Sequence, residues 1–459
     1  MCARDRQLPP QPLFPGPCAA LAVAVGLACS FLSGVLTATR SARADLPYEQ
    51  EPIDYLKAPL HDPIVRLQQR LDRGEAKLDY DRERGYLPAV LEQLDILKSS
   101  QMLVFSKTSF QRQKISPRKP RALYFNDDTY IGYVQQGDVL EVSTVDPRQG
   151  AVFYTLQQQP AEKPTFLRQT HECLQCHSSS KTEEVPGHLV RSVYPDASGM
   201  PVFSAGTFAT THESPLRDRW GGWYVTGRHG AQTHMGNVHV TDRQQPENLD
   251  RAAGANRANL DGLLDTTPYL APSSDIVALM VLEHQTKLQN LIAAANYHCR
   301  LALHYEAGLN KALDRPEGAL SPSTQRRIHG PAEKLVKYLL FCEEAPLAER
   351  VSGSSSYAQE FSARGPRDRR GRSLRDFDLQ RRMFEYPCSY EIYSDAFEQL
   401  PQPVKQYVYQ RLWEVLSGKD QSAEFAHLSA EDRRAIFEIL LDTKQDLPAD
   451  WRKAPAPPR

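Results

Sequence analysis

Between residues 101 and 158 the hydrophobic positions follow a two-residue period, the spacing typical of β-strands. Four short runs rich in β-branched and aromatic residues are separated by the turn-forming stretches "NDD", "QQGD" and "DPRQG". The runs are "RALYF", "TYIGYV", "VLEVSTV" and "AVFYTL". This pattern predicts an antiparallel meander, and "HLVRSVY", "MPVF", "GGWYVTG" and "NVHV" extend the predicted β-rich region toward residue 245.

Helical patterns lie on both sides of the β-rich region. Apolar residues recur at three and four positions before residue 100, and a long apolar stripe follows the capping cluster Ser273-Ser274-Asp275. The sequence therefore predicts an α+β fold, with a β-rich core preceded and followed by helices. The predicted segments are an N-terminal helical segment (45–100), the β-rich domain (101–245), a helical segment on the core (273–347), a flexible linker (348–376) and a C-terminal helical module (377–459).

The first 44 residues have the composition of an export signal. Arg4 and Arg6 precede an uncharged stretch that runs from Ala19 to Thr39, and the small-x-small pattern of a signal-peptidase site ends at Ala44. We expect a periplasmic or otherwise exported protein whose leader is removed after Ala44. The alternative is an uncleaved N-terminus that anchors the protein in the membrane, because the uncharged stretch is long enough to span a bilayer.

The balance of charges removes one class of partner. The chain of 459 residues has a formal net charge of -1, and its basic residues form no dominant cluster. A nucleic-acid-binding protein needs a concentrated basic surface, so we expect no nucleic-acid partner.

The clearest chemical motif is "CLQCH", which contains Cys173, Cys176 and His177. A structural zinc site needs four ligands, usually two pairs, and no second C-x-x-C accompanies this one. A catalytic dithiol is typical of a thioredoxin-like βαβ setting, whereas the surrounding pattern is a β-meander. C-x-x-C-H is the attachment signature of c-type haem. The motif favours one covalent haem c per chain, with zinc and dithiol sites as the alternatives.

The motif resembles that of c-type cytochromes. The segments "RALYFNDDTYIGYV", "GAVFYTL", "RWGGWYVTGRHG" and "YPCSYEIYSDAF" are similar to those of exported bacterial proteins with a cytochrome-c domain. The resemblance implies thioether bonds from Cys173 and Cys176 to the haem and His177 as the proximal iron ligand. Small soluble cytochromes c are all-helical, whereas strands flank the motif in this chain.

Candidates for the sixth iron ligand come from a glycine-rich loop, "TGRHGAQTHMGN". Histidine and methionine are the usual ligands at this position. We expect His234 or His229 to occupy it, with Met235, Met200 and His284 as further candidates. These histidines also have a purely structural alternative, in which they bond to the backbone or lie in the core.

Other residues have supporting roles in this interpretation. Four arginines are candidates to neutralise the haem propionates because arginine pairs well with carboxylates. They are Arg191, Arg217, Arg219 and Arg228. Trp220, Trp223 and Tyr224 are candidates to line a haem pocket. In an oxidising compartment, two of Cys299, Cys342 and Cys388 would form a disulfide.

The motif leaves more than one function open. We expect one-electron transfer through the haem to an unidentified redox partner protein. The alternative is a haem c enzyme or sensor whose distal site is open to a small molecule such as peroxide, NO, CO or hydroxylamine. A third possibility is a protein that docks onto a larger redox complex through its C-terminal module.

Overall fold

The computed structural model describes residues 47–453. The predicted leader and its cleavage after Ala44 lie outside the described residues. Within the described range, no helix combines the length and the apolar character needed to cross a bilayer.

The predicted meander forms a six-stranded antiparallel sheet in which every strand pairs with its neighbours in the sequence. Two helices precede it, α1 (Pro63–Asp72) and α2 (Leu87–Gln93). The strands are β1 (Met102–Val104), β2 (Arg121–Phe125), β3 (Thr129–Tyr133), β4 (Val139–Asp146), β5 (Gly150–Gln157) and β6 (Phe166–Arg168). The α+β class is therefore confirmed, and four of these strands match the runs read from the sequence.

The two faces of the sheet have different neighbours. Leu140 and Val142 of β4 belong to the hydrophobic core that also contains side chains of α1 and α2. Glu141 and Ser143 alternate with them and project to the opposite face, where they are half-buried. On this second face Phe153 of β5, which pairs with Ser143, contacts the ring of His177 in the "CLQCH" segment.

That segment forms a short helix, α3 (Leu174–His177), directly after the sheet. Beyond it, the predicted second set of strands is largely absent from the described structure. Short pairs occur instead, consisting of β7 (Arg191–Val193) with β8 (Thr207–Ala209), and β9 (Gly227–Arg228) with the later β10 (Ser352–Gly353). "MPVF" and "NVHV" lie mostly in loops, one of them closed by the Asp196 carboxylate, which accepts hydrogen bonds from the amides of Ser198 and Met200.

The long helix α4 (Ile276–Ala312) lies at the centre of the helical part. The Asp275 carboxylate caps it by accepting hydrogen bonds from two amides of its first turn. The next helix, α5 (Pro322–Leu339), follows the cap residue Ser321 and starts with Pro322, while Pro331 lies in its interior. Proline at the first position suits a helix start because its missing amide hydrogen would have no partner there.

The segment predicted as a flexible linker, 348–376, is a folded connection. It contains β10 and the helix α6 (Tyr357–Ala363), in which Tyr357 and Phe361 are buried. The second carboxylate oxygen of Asp275 accepts hydrogen bonds from the amides of Ser354 and Ser355, each at 2.8 Å. The segment was predicted to be a flexible linker, whereas the buried Asp275 carboxylate binds these amides.

The C-terminal part is helical, as the periodicity predicted. Its helices are α7 (Asp395–Glu398), α8 (Gln402–Leu416), α9 (Ala430–Thr443) and α10 (Ala449–Lys453). The expected disulfide is absent among the described residues, because Cys299, Cys342 and Cys388 are each free and buried. Burial in an apolar core accounts for these three thiols.

Candidate functional site

The two cysteines of the motif lie on one helical turn at the protein surface. The amide of His177 donates to the carbonyl of Cys173 at 3.0 Å, which closes the turn. Leu174 is buried and fixes the turn to the core, while Cys176 is exposed and Cys173 is half-buried. Both thiols are free, and burial raises the pKa of Cys173 to about 11. The turn thus presents two free thiols, of which that of Cys176 is exposed to solvent.

His177 has its two ring nitrogens in different environments. Its Nδ1 atom lies 3.0 Å from the carbonyl oxygen of Gly187, so Nδ1 carries the proton and donates it. Its Nε2 atom has no hydrogen-bond partner among the described residues. Burial lowers the pKa of His177 to about 4, which keeps the ring neutral near pH 7. A neutral imidazole with a free Nε2 lone pair is in the state that binds a metal.

The carbonyl of Gly187 is itself held in place. The side chain of Asn290 in α4 accepts a hydrogen bond from the backbone amide of His188 at 2.8 Å. It also donates one to the backbone carbonyl of His188 at 2.7 Å. On the other side, the amide of Ala151 in β5 donates to the carbonyl of Pro186 at 3.0 Å. A Cβ atom on Gly187 would lie 2.4 Å from the Asn290 side-chain oxygen, so the close approach requires glycine.

A second histidine, His188, lies near the motif and was not singled out from the sequence. Its ring centroid lies 4.4 Å from that of Tyr130, and its Nε2 contacts the Ser143 hydroxyl on the second face of the sheet. Both His177 and His188 contact the ring of Phe153. Burial lowers the pKa of His188 to about 3. The loop "PGHLV" gives no periodicity that would have indicated this position.

The predicted distal ligands, His229 and His234, are buried in their own loop, each with 1 % of its surface exposed. The Nε2 of His229 accepts a hydrogen bond from the amide of Asn256 at 3.1 Å. The Nδ1 of His234 accepts one from the amide of Gly236 at 3.0 Å. A neutral imidazole has one acceptor nitrogen, so both lone pairs are already used. No contact joins either ring to His177 in the described structure.

The further ligand candidates divide by exposure. Met235 is buried, and its sulfur accepts a hydrogen bond from the Ser192 hydroxyl at 3.7 Å. His284 is buried too, with its Nδ1 atom 2.7 Å from the Nδ1 of His212 and its Nε2 2.8 Å from the Ser389 hydroxyl. Met200, in contrast, lies at a surface turn with 37 % of its surface exposed.

Of the four candidate arginines, Arg191 lies near the motif. Burial is the largest cause that lowers the pKa of His177, and the positive charges of Arg121 and Arg191 lower it further. Arg121 forms an ion pair with Glu141 at 2.6 Å, while the half-buried Arg191 has no ion-pair partner in the described part of the chain. Arg219 is instead buried in an ion pair with Glu283.

The remaining candidates, Arg217, Arg228 and the three aromatic residues, show other contacts. Arg217 is exposed beside Asp218, and Arg228 is exposed in β9. Trp220, Trp223 and Tyr224 are buried in the hydrophobic cores, so packing explains them. The indole nitrogen of Trp223 donates to the backbone carbonyl of Arg191 at 2.8 Å, which holds the backbone of that arginine in place.

Exposed apolar side chains occur in the segments that neighbour α3. Leu167 of β6 is 49 % exposed and Phe208 of β8 is 42 % exposed. The Lys181 ammonium connects β8 to the segment after α3 by donating to the Thr207 hydroxyl at 2.8 Å. Phe203, just before β8, is 69 % exposed. These exposed apolar side chains lie in the segments that precede and follow α3 in the chain.

Two further findings complete the description of the site. In residues 47–453 no group of three or more His, Cys, Asp or Glu side chains is arranged to hold a metal ion. Comparisons with protein-family models, with curated proteins and with solved structures found no match.

Proposed function

We propose that this chain is an exported c-type haem protein that carries out one-electron transfer. Cys173 and Cys176 would form the thioether bonds, and the Nε2 atom of His177 would bind the iron. The observation that carries the proposal is the hydrogen bond from His177 Nδ1 to the Gly187 carbonyl, which leaves Nε2 with its lone pair free beside two accessible thiols.

The haem would supply reversible one-electron chemistry at iron. The chain's contribution would be orientation and electrostatics. The Gly187 carbonyl accepts the hydrogen bond from His177 Nδ1, and this makes the Nε2 lone pair a stronger ligand for a metal. Arg191 is available to pair with a propionate. The exposure of Cys176 supports a haem edge near the surface, where a redox partner protein can approach it.

The proposed location follows from the sequence of the first 44 residues. Covalent haem is attached outside the cytoplasm, and a leader that ends at Ala44 would bring the chain there. We propose a periplasmic protein, with retention of the N-terminus as a membrane anchor as the alternative.

The test uses the full chain expressed together with a haem c maturation system. The double variant Cys173→Ala, Cys176→Ala should lose all haem staining on a denaturing gel, because both thioether bonds are absent. His171→Ala, which changes an exposed histidine just before the motif, should keep the wild-type staining. Haem that stays with the double variant under denaturing conditions would refute the attachment site.

A second candidate function is a haem enzyme or sensor that binds a small molecule. The observation that favours it is that His229 and His234 each accept a hydrogen bond from a backbone amide with their single ring lone pair, so neither has a lone pair left for the iron. If neither histidine binds the iron, the reduced protein should bind CO readily, and His234→Ala should not change that affinity. Poor CO binding by the wild type would instead favour the electron carrier.

A further inference from the structure

An acidic cavity lies away from the "CLQCH" motif, where the start of α1, the β2–β3 and β4–β5 turns, α4 and the segment before α7 meet. Its volume is about 220 Å³. Apolar side chains, among them Val145 and Ala396, form part of its wall. We call it the acidic cavity, and its lining residues include Asp127, Asp128, Gln289, Glu391, Tyr393 and Asp395.

Negative side chains dominate the lining. Asp127 forms an ion pair with Arg375. The carboxyl groups of Asp128, Glu391 and Asp395 have no ion-pair partner among residues 47–453. The cation that lines the cavity is Arg66, which is exposed and donates to a backbone carbonyl. The cavity therefore has more carboxyl groups than cations to balance them.

Glu391 at the base of the cavity provides an independent observation. It is 1 % exposed, and its Oε1 atom accepts a hydrogen bond from the Gln289 side chain at 3.2 Å. Its Oε2 atom is buried with no hydrogen-bond partner. An unpaired buried carboxyl oxygen is unfavourable, and a donor that enters the cavity would relieve it. A cationic donor would satisfy both the charge and the missing hydrogen bond.

The shape and lining favour an organic cation over a bare metal ion. The described residues contain no group of side chains arranged to hold a metal ion. At about 30 Å³ per water molecule in the liquid, the cavity has room for several non-hydrogen atoms. Its apolar wall would contact an alkyl chain, and the half-buried ring of Tyr393 could face a cation.

We propose that the acidic cavity binds a small aliphatic amine, with an ammonium group on the Oε2 atom of Glu391. A diamine fits best, since Glu391 lies at the base while the exposed Asp395 and the half-buried Asp128 lie nearer the surface. This proposal is independent of the haem, because none of the residues that bind the amine belongs to the "CLQCH" site.

Burial disfavours the carboxylate form of two lining groups, and a bound cation would offset this effect. Burial, with a smaller contribution from the Asp127 charge, raises the pKa of Glu391 well above its usual range. Burial raises the pKa of Asp128 to about 6. An ammonium group beside Glu391 would lower the pKa of Glu391 toward its usual range. The charge of Arg375 lowers the pKa of Glu391, and the charge of Asp128 raises it.

The experiment is calorimetric titration of the purified full-length protein at pH 8 with 1,4-diaminobutane, with 1,4-butanediol and calcium chloride as comparisons. The diamine should bind, whereas the neutral diol and Ca²⁺ should not. Glu391→Gln should weaken diamine binding at least about tenfold, the effect of one charge-assisted hydrogen bond. Glu317→Gln, an exposed carboxyl in the loop after α4, should bind like the wild type.

Three results would overturn the proposal. They are no diamine binding at millimolar concentration, equal binding by wild type and Glu391→Gln, and binding of Ca²⁺ in place of the diamine. Thermal unfolding of each variant checks that it folds. If Glu391→Gln does not fold, Asp395→Asn at the exposed rim serves instead. Its expected loss is up to about fivefold, as for an exposed ion pair, and unchanged affinity would refute the amine site.

Discussion

The "CLQCH" turn and the glycine-rich loop of residues 227–237 both bring histidine side chains into the fold, but they prepare them for different roles. In the turn, His177 donates from Nδ1 to a carbonyl and keeps the Nε2 lone pair free. In the loop, His229 and His234 each accept a backbone hydrogen bond with their one lone pair. The type of residue is the same in both regions, and the direction of one hydrogen bond separates a candidate ligand from a structural side chain.

The histidine exchange has the largest expected effect. His177→Ala should remove the native axial ligand and alter or abolish the visible haem spectrum, because no other lone pair is held at that position. His234→Gln should leave the spectrum unchanged. Absorption spectra of the oxidised and reduced variants measure this directly. A changed spectrum in His234→Gln, with a normal one in His177→Ala, would reverse the comparison.

The next prediction concerns stability near the loop. Arg219, whose carbonyl accepts the Met235 amide, is buried in an ion pair with Glu283. Glu283→Gln leaves the guanidinium without its counter-charge and should lower the free energy of unfolding by about 3–5 kcal/mol. Urea denaturation measures the loss. The exposed control Glu247→Gln should change it by less than about 0.5 kcal/mol.

In Glu283→Gln the haem spectrum should stay that of the wild type. A spectral change as large as that of His177→Ala would show that the loop region belongs to the haem site after all.

A smaller loss of stability is expected from substitution of Gly187, whose carbonyl binds His177. Gly187→Ala would place a Cβ atom 2.4 Å from the Asn290 oxygen, and the strain should cost about 1–3 kcal/mol. Because the Gly187 carbonyl would shift, the haem spectrum should shift too. Gly308→Ala in α4, with no atom within 4 Å of the added Cβ, serves as the matched control and should not destabilise the protein. A destabilised Gly187→Ala protein with an unchanged haem spectrum would show that Gly187 does not orient His177.

The last prediction is a pH dependence of stability, whose effect is small when it is measured per pH unit. Burial lowers the pKa of His234 from 6.5 to about 3. The unfolded chain therefore binds a proton that the folded chain does not, and stability falls as the pH falls from about 6.5 toward 3. One such histidine contributes at most about 1.4 kcal/mol per pH unit. Urea denaturation at a series of pH values should show a shallower slope in His234→Gln, and an equal slope would contradict the buried neutral state.

The sequence predicted regular elements better than loops. The strands β2–β5 and the cap at Asp275 follow from two-residue alternation and from local side-chain-to-amide bonds, which neighbouring residues determine. The segment 348–376 was expected to be flexible because it contains a serine-rich and basic stretch. Its order comes from Asp275 and the sheet, residues far away in the chain, so composition could not indicate it.

The same limit applies to the candidate site. The spacing of Cys173, Cys176 and His177 was visible in the sequence because the three residues are local to one helical turn. The partners of His177 and His234 were not visible, because hydrogen-bond direction depends on how a loop closes. His188 and its support by Asn290, 102 positions away, depend on tertiary packing alone.

The central claim is that haem is bound covalently to the "CLQCH" turn, and mass spectrometry of the denatured, trypsin-digested protein tests it most directly. Trypsin cuts after Arg168 and Lys181, which releases the motif as one peptide. The account predicts that this peptide carries the added mass of one haem and that both cysteines resist alkylation. A peptide of unmodified mass, with its two thiols free or joined in a disulfide, would contradict it.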